Sequence, residues 1–544
     1  MPSPKYLLVT EKCSSDPKEK DGGARLVQSI IEAFGSSLEI MQFGPQRSSE
    51  ATFYYPYPKK DPNRFINRLE NADFIADKVN EVSHQYSQIL FIHISMQFGF
   101  SGANAWTFPM FLTPSYTASG EKVPDDYFQK EKQTLRNAQH IITPSHLERR
   151  QLISTYKVPS QRIHVVPRGI ERSWIQHKTR TDHNQLILCS IGSIKPQKNT
   201  LELIRFFANV QKQYPGSKLR IIGAIQNPDY WKIVEEEVDR LLLNAHIEFT
   251  GHLSSHQLSN AIADAHIHVS TSVCETFGRS IFETLAAGLP NIAFRQNNAA
   301  AHFLKHHGSA YFTNNCEEMI NALNEILQNL PELSRQGKIV ATLYDDQFLA
   351  NRIKAIICGA ETVALADFDG TLYHKDDAKT TQLCIAAFKS YKRRILCSAR
   401  TLNDLLTQMQ KYSLDVDYII SYGGALITDA KGNELKTYVL NSSISAHEDI
   451  TYQGHLLQKL LSTKPSHLPY DTRIETYQGK YYLSNSCATK LCASHWLLNH
   501  IKWEGQIKAF GDGPYDEEFI NYFDGVFITP HPQNDRQQKE IAYD

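Results

Sequence analysis

An α/β fold, with two Rossmann-like lobes followed by a third α/β core, is predicted by three observations. Short apolar runs alternate with helical periods over the first 360 residues. A polar, aperiodic break over 168–185 divides that series in two. A late apolar strand, Val363-Ala-Leu-Ala366, then ends in Asp367-Phe-Asp369-Gly-Thr371. Alternation of this kind builds doubly wound parallel sheets. At 544 residues the chain exceeds one core, and about 150 residues per domain suggests three or four.

In order, strands are expected at Tyr6–Thr10, Leu38–Phe43, Ile89–Ile94, Met110–Thr113, Ile141–Pro144 and Ile163–Val166 in the first lobe. Those of the second lobe are expected at Leu186–Ile191, Lys218–Ile222, Ile247–Phe249, Ile267–Ser270 and Asn291–Phe294. The expected domains are 1–170, 171–357 and 360–544, the last with a cap over about 425–487.

Composition narrows the function classes. A formal net charge of −1 lacks the basic footprint of a nucleic-acid binder. Nine cysteines without a C-x-x-C pair suit free, buried thiols in a reducing compartment, not a disulfide scaffold or zinc site. The apolar run near Met1 is too short for a signal peptide, and no stretch approaches the roughly 20 apolar residues that span a bilayer. A soluble, cytoplasmic protein is expected, and its oligomeric state is not legible.

The late aspartates carry the strongest chemistry. A buried strand ending in two carboxylates one residue apart, answered by Gly511-Asp512-Gly-Pro-Tyr-Asp516, offers an all-oxygen cage. Such hard ligands suit Mg²⁺, held by Asp367, Asp512 and the backbone carbonyl of Asp369. Asp367 is the candidate nucleophile toward phosphorus, and Asp369 the acid that protonates the leaving oxygen and then activates water. Gly370 lets the loop turn and bring N–H groups to phosphate. Ser398, ending the strand-like Arg394–Ser398, can hold a phosphate oxygen, and Lys490, opening a helical pattern, supplies a cation. Alone, these two read as a strand-end hydroxyl and a solvated helix residue; their order gives them meaning. Three roles stay open for Asp516: a ligand through water, an outer acceptor, or a charge at a helix N-terminus.

In the first lobe, Gly22 and Gly23 precede the helical pattern Leu26, Ile30, Ile31, Phe34, where backbone amides can approach a ligand. In the second, Ser190-Ile-Gly-Ser-Ile-Lys-Pro-Gln-Lys-Asn199 follows a strand and starts a helix, so that Lys198 can reach phosphates on the loop. Glu275 and Glu283, in Glu275-Thr-Phe-Gly-Arg-Ser-Ile-Phe-Glu283, can divide a nucleotide sugar. Glu283 would take the ribose hydroxyls, and Glu275 with the amides of Phe277 and Gly278 would take the sugar and diphosphate. The alternative for both glutamates is a capped, solvated helix.

Over 1–357 these motifs, with Arg162-Ile-His-Val-Val-Pro-Arg-Gly-Ile170 and a terminal helix Phe348–Ile357, resemble retaining GT-B glycosyltransferases of family 4, sucrose-phosphate synthase among them. Over about 360–544 the order resembles the haloacid dehalogenase phosphatases, with a cap of the sucrose-phosphate and trehalose-phosphate phosphatase type. The resemblance implies a nucleotide-sugar donor, transfer with retention and no metal in the first half. It also implies a sugar-phosphate-like acceptor whose phosphate the second half removes. It matches His93 to a histidine that touches the donor sugar. Two departures stand out: Ser193 occupies the place of an arginine that pairs with the lysine on the diphosphate, and Gln296-Asn-Asn298 replaces a Gly-Gly after Asn291–Phe294. The alternatives are an uncoupled transferase for a polysaccharide, natural product or protein beside a separate sugar-phosphate phosphatase, or one half kept as a binding module.

Overall fold

A computed structural model describes residues 5–11, 22–171, 173–174, 185–305, 307–465, 472–477, 480–513 and 516–528. Asp21, Pro514, Tyr515 and most of the polar break lie outside them. The chain divides into two compact units, Met1–Ile357 and Cys358–Asp544. Among the described residues no helix is long and apolar enough to cross a membrane.

The first unit holds two parallel sheets. Strands β1 (Tyr6–Thr10), β2 (Leu38–Phe43), β3 (Phe53–Tyr55), β4 (Gln88–Ile92), β5 (Ala105–Phe108), β6 (His140–Thr143) and β7 (Ile163–Val165) form the first, in the order β3-β2-β1-β4-β5-β6-β7. Strands β8 (Ile187–Ile191), β9 (Lys218–Ile222), β10 (Ile247–Gly251), β11 (Ile267–Ser270), β12 (Asn291–Phe294) and β13 (Ala310–Thr313) form the second, in the order β10-β9-β8-β11-β12-β13. All five residues of β1 are buried, as expected of a central parallel strand covered on both faces. Helix Thr200–Gln213 turns Leu203, Phe206, Phe207 and Val210 onto the second sheet, an apolar stripe of helical period. Helix Asp346–Ile357 returns to the first sheet's helix Gly22–Phe34: Lys354 donates to the Ala33 carbonyl at 2.8 Å, and Ser29 Oγ donates to the Asp346 carboxylate at 2.7 Å.

Three strand expectations shift. The strand expected at Met110–Thr113 is Ala105–Phe108, because Pro109 ends the ladder, Met110 takes φ 73° and Thr113 opens a helix with Pro114 in its first turn. Ile94 belongs to a 3₁₀ turn, Ile94–Gln97. The edge strands β3 and β13 were not anticipated; both are short and half polar in burial.

The second unit has a seven-stranded sheet and a separate four-stranded one. The larger contains β14 (Thr362–Ala366), β15 (Arg393–Cys397), β16 (Tyr418–Ser421), β17 (Leu426–Asp429) and β18 (Glu434–Thr437). The smaller contains β19 (Glu448–Tyr452), β20 (His455–Leu461), β21 (Thr472–Tyr477) and β22 (Lys480–Asn485), antiparallel in the order β19-β20-β22-β21. The chain then returns to the larger sheet as β23 (Gln506–Gly511) and β24 (Val526–Phe527), giving β18-β17-β16-β15-β14-β23-β24. Against the expected cap interval, 425–487, β17 and β18 pair onto the core sheet and the separate sheet begins at Glu448. The tight Tyr422–Gly424 turn reverses the chain beside β16, so antiparallel pairing follows at once. Gly424, at φ 109°, is what lets that turn lie against the backbone of Thr489, where a Cβ would come within 2.4 Å. Gln458 of β20 reaches back to the Tyr422 carbonyl at 3.2 Å, tying the small sheet to this turn.

Behind the second lobe's loops runs a buried polar network. His268 on β11 accepts from the Ile191 amide through Nε2 (3.4 Å), so its Nδ1 carries the proton and donates to Asn291 Oδ1 at 2.5 Å. Asn291 in turn accepts from Thr284 Oγ1 and donates to the Ile281 carbonyl, locking helix Arg279–Ala286 to β12. Burial above all, with Lys198 nearby, lowers the imidazole from 6.5 to about 4, so the folded state holds this ring neutral. Between pH 6.5 and 4 the unfolded chain binds a proton here that the folded chain does not, so stability falls as pH falls. Relative to a His268→Gln variant, the first unit of the wild type should lose about 1.4 kcal/mol per pH unit across that window, read from urea unfolding. Glu131 and Glu148, which burial pushes up to about 7, titrate alike in both proteins and cancel. A difference independent of pH would show that His268 titrates normally in the fold.

Candidate active sites

In the second unit the carboxyl ends of β14, β15 and β23 deliver Asp367, Ser398 and Asp512 to one edge of the sheet. Lys490 joins them as the first residue of helix Lys490–His500, whose N-cap Thr489 accepts from the Cys492 amide at 2.9 Å. The Lys490 ammonium lies 2.8 Å from Asp367 Oδ1 and 2.6 Å from Asp516 Oδ1. Asp516 also accepts the Asp512 amide (3.2 Å) and Thr371 donates to Asp512 (3.4 Å). Ser398 is buried, and its Oγ accepts from the Arg400 amide at 3.3 Å.

Three carboxylates, those of Asp367, Asp512 and Asp516, offer ligand oxygens within 4.8 Å of one another. Among the described residues one ammonium, that of Lys490, pairs with this cluster, leaving an excess of negative charge. Burial, opposed by Lys490 and reinforced by Asp516, holds Asp367 above the usual carboxylate range. Asp512 is raised by burial and by Asp516. Lys490 is held more basic than usual by Asp367 and Asp516, although burial opposes it. Hard oxygens crowded in this way fit a divalent cation of the Mg²⁺ class. Gly370, at φ 72°, is the cradle: a Cβ there would lie 2.0 Å from the Asp512 carboxylate.

Asp369 stands apart. Its carboxylate accepts two hydrogen bonds from Arg400, at 2.6 and 2.7 Å, and Arg400 also donates to Asp404 at 2.6 Å with its guanidinium 5.1 Å from the Phe368 ring centre. Thus Asp516, and not the side chain of Asp369, completes the carboxylate cluster. The sequence reading placed Asp516 behind Asp512 and did not anticipate Arg400. The Asp512–Asp516 spacing, one turn from loop to helix start, was the available signal.

In the first unit, Lys198 closes the 3₁₀ turn Pro196–Lys198 and its ammonium meets Glu275 at 2.5 Å. Its stem packs on Gly192. The Phe277 ring is buried against Phe282, 4.5 Å between centroids, and Gly278 precedes the first turn of helix Arg279–Ala286. Glu283, just over one turn into that helix, is buried and accepts from Arg25 at 2.5 Å. Burial raises its carboxyl, while Arg25 and Arg279 pull it down. Gly22 and Gly23 open the helix that carries Arg25, so the Gly-Gly turn of the first lobe delivers a guanidinium to the second lobe's glutamate. Arg25 was present in the motif, but its partner lies 258 residues away and gave no local signal. A polar cavity of about 460 Å³, lined in part by Arg25, Glu171, Arg279 and Asp346, opens beside this pair and not beside Lys198.

His93 ends β4 at φ 81°, its ring Nδ1 2.8 Å from Ser95 Oγ, a left-handed backbone that a non-glycine residue holds only under constraint. The segment replacing Gly-Gly keeps a tight turn: Asn297 takes φ 51°, its carbonyl accepts the Glu275 amide at 2.8 Å, and Asn298 Oδ1 accepts the Ala300 amide at 3.1 Å. Asparagine tolerates this conformation better than other side chains.

The family model described as glycosyl transferases group 1 matches residues 172–341, and that of glycosyltransferase family 4 matches 53–174. A haloacid dehalogenase-like hydrolase model matches 364–459. An alpha-monoglucosyldiacylglycerol synthase of Streptococcus pneumoniae is 23% identical over 430 residues, covering 68% of this chain and 94% of the relative. Among solved structures, sucrose-phosphate synthase of Thermosynechococcus elongatus shares the fold at TM-score 0.55 and 16% identity, over 65% of this chain and 98% of that one. Anabaena HepE in complex with UDP and glucose shares it at TM-score 0.52 and 16% identity, over 65% and 99%. The chain therefore carries glycosyl transferases group 1 and glycosyltransferase family 4 domains on a fold shared with GT-B enzymes, followed by a haloacid dehalogenase-like hydrolase domain.

Proposed function

We propose that this protein transfers a sugar from a nucleoside-diphosphate donor to a phosphorylated acceptor with retention, and then hydrolyses the acceptor's phosphate. The observation that carries the reading is the complete phosphoryl-transfer constellation on the same chain as a glycosyltransferase: Asp367 paired to Lys490 at 2.8 Å, with Asp512 and Asp516 beside them.

In the first unit, Lys198 and the amides opening helix Arg279–Ala286 offset the charge that develops on the departing diphosphate, while Glu283 and Glu275 orient the donor. The leaving diphosphate itself takes the acceptor proton on the face it vacates, so no protein base is needed. His93 borders the donor sugar from the first lobe.

In the second unit, Asp367 Oδ attacks phosphorus to form an aspartyl-phosphate as the bond to the sugar oxygen breaks. Lys490 and Ser398 hold the phosphoryl oxygens. Mg²⁺, held by Asp367, Asp512 and Asp516 together with the Asp369 backbone carbonyl, would supply charge neutralisation for the approach of two anions. Asp369 donates a proton to the leaving oxygen and recovers one from the water that hydrolyses the intermediate. Two hydrogen bonds from Arg400 hold and orient the Asp369 carboxylate. Proton donation in the first step requires Asp369 to leave Arg400, and Asp404 remains as the guanidinium's partner.

The relative that acts in monoglucosyldiacylglycerol synthesis favours a second reading, in which the first unit glycosylates an unphosphorylated acceptor and the phosphatase serves another metabolite. Incubation with nucleotide sugars and sugar phosphates, followed by mass spectrometry, separates them. Asp367→Asn should accumulate a phosphorylated glycoside that the wild type releases as free glycoside. Phosphate hydrolysis by the wild type with no glycosylation of any acceptor phosphate would overturn the coupled reading. Chelation with EDTA should abolish phosphate release and leave glycosyl transfer intact, so that the wild type then accumulates the same phosphorylated product; loss of both activities would place a metal in the first unit as well.

A further inference from the structure

We propose that Lys195 and Lys198 together seat the diphosphate of the nucleotide-sugar donor, with Lys195 as the second cation. This rests on reading the first unit as a nucleotide-sugar transferase.

The segment after β8 stays extended: the Ile194 amide donates to the Ala224 carbonyl at 2.8 Å, Ile194 bridges Ile225, and Lys195 has φ −162° and ψ 161°. In extended backbone alternate residues share a side. Ile194 is 2% exposed and faces the core, so Ser193 and Lys195 both face away from it, toward the loop's ligand side. Lys198, closing the following 3₁₀ turn, turns back over Gly192 to Glu275.

Lys195 is half-buried, yet its ammonium makes no ion pair or hydrogen bond among the described residues. Its acidity is raised first by burial and then by Lys198, with Glu121 and Glu275 too distant to pair with it. A partly desolvated ammonium beside another ammonium is unfavourable without an anion. Glu275 is committed to Lys198 and Lys195 is left without a paired carboxylate, so the local charge calls for an anionic ligand where the loop and helix Arg279–Ala286 converge.

Arg279 does not fill the same role. Its guanidinium is buried, donates to the Gly169 carbonyl at 3.0 Å and sits 4.0 Å from Glu283. Arg64, the first lobe's cation on this side, is paired to Glu121. Arg279 keeps Nη1 without a partner, but it lines the cavity beside Arg25 and Glu283; among the described residues of the loop after β8, Lys195 is the unpartnered cation next to Lys198.

The test titrates full-length protein with UDP, GDP and ADP by calorimetry, and with uridine, guanosine and adenosine as diphosphate-free controls. For whichever diphosphate the wild type binds, Lys195→Gln should weaken binding about tenfold or more, the scale of a charge-assisted contact, without changing binding of the matching nucleoside. Adding Ser193→Arg, which returns a cation to the same side two residues earlier, should restore most of the loss. Phosphate release by the second unit and an unchanged far-UV spectrum serve as folding controls. Unchanged diphosphate binding in Lys195→Gln, or equal loss for the nucleoside, overturns the assignment. If Lys195→Gln instead raises only the KM for a phosphorylated acceptor, Lys195 belongs to the acceptor side and the assignment falls. Failure of the wild type to bind any of the three diphosphates removes the donor-site reading itself, and this inference with it.

Discussion

Both units depend on the same constraint: parallel strands can deliver side chains to a common edge only where they end. Asp367, Ser398 and Asp512 leave the carboxyl ends of β14, β15 and β23, while His93, the Lys195–Lys198 loop and the Glu275 run follow β4, β8 and β11. Loops at that edge lead into helix N-termini such as that of Arg279–Ala286, which has no side-chain cap, and such N-termini favour anions. In the second unit β14 lies between β15 and β23, and the connections leave it in opposite directions. That reversal opens the crevice into which Asp367 projects.

The two sites then solve opposite charge problems. Around Asp367, three carboxylates share one ammonium, and the excess is negative; a divalent cation relieves it and at the same time lets the carboxylate nucleophile meet a phosphate. Around Lys198, the unpaired ammonium of Lys195 lies beside the Lys198–Glu275 pair, and in the proposed reading a diphosphate supplies the missing anion. In the proposed reading a divalent cation serves the half whose acids crowd together, while the protein's own cations meet the diphosphate's charge in the other. The Arg25–Glu283 pair is a different case. Both partners are more than four-fifths buried at their side chains, so their mutual attraction holds an otherwise costly carboxylate on helix Arg279–Ala286.

Much of this was legible in the sequence because it was local. Ten of the eleven strands expected in the first 357 residues were found near their expected places, since continuous apolar runs are what strands covered on both faces require. Pro109 moved one strand, and β3 and β13, at sheet edges, are runs of only three or four residues, too short to stand out. Asp367, Ser398, Lys490 and Asp512 could be ordered from the text because each follows a strand or opens a helix. Arg25 on Glu283, Arg400 on Asp369 and Asp516 on Lys490 could not be paired, because the partners lie 258, 31 and 26 residues apart and any solvated charge would look the same in sequence. Where the chain departs from the resemblance, Asn297 takes a left-handed backbone and still closes a tight turn onto Glu275.

In the proposed order of reactions the acceptor's phosphate acts twice. During transfer it is a handle, since a charged group held by cations contributes about 1.5–3 kcal/mol per hydrogen bond. Kept on the product, the same bonds would hold it in the acceptor site and let it compete with fresh acceptor. Removing the phosphate deletes those bonds without touching the new glycosidic linkage, so product affinity for the transferase falls by about tenfold or more for each bond lost. Hydrolysis also withdraws phosphorylated product from the transfer equilibrium and draws that step forward by mass action. Neither effect requires the two units to touch. Covalent fusion supplies something else, a fixed one-to-one ratio of the activity that makes the phosphorylated glycoside and the activity that consumes it. With that ratio fixed, the steady level of the intermediate depends on the two rate constants and not on separate expression of two proteins.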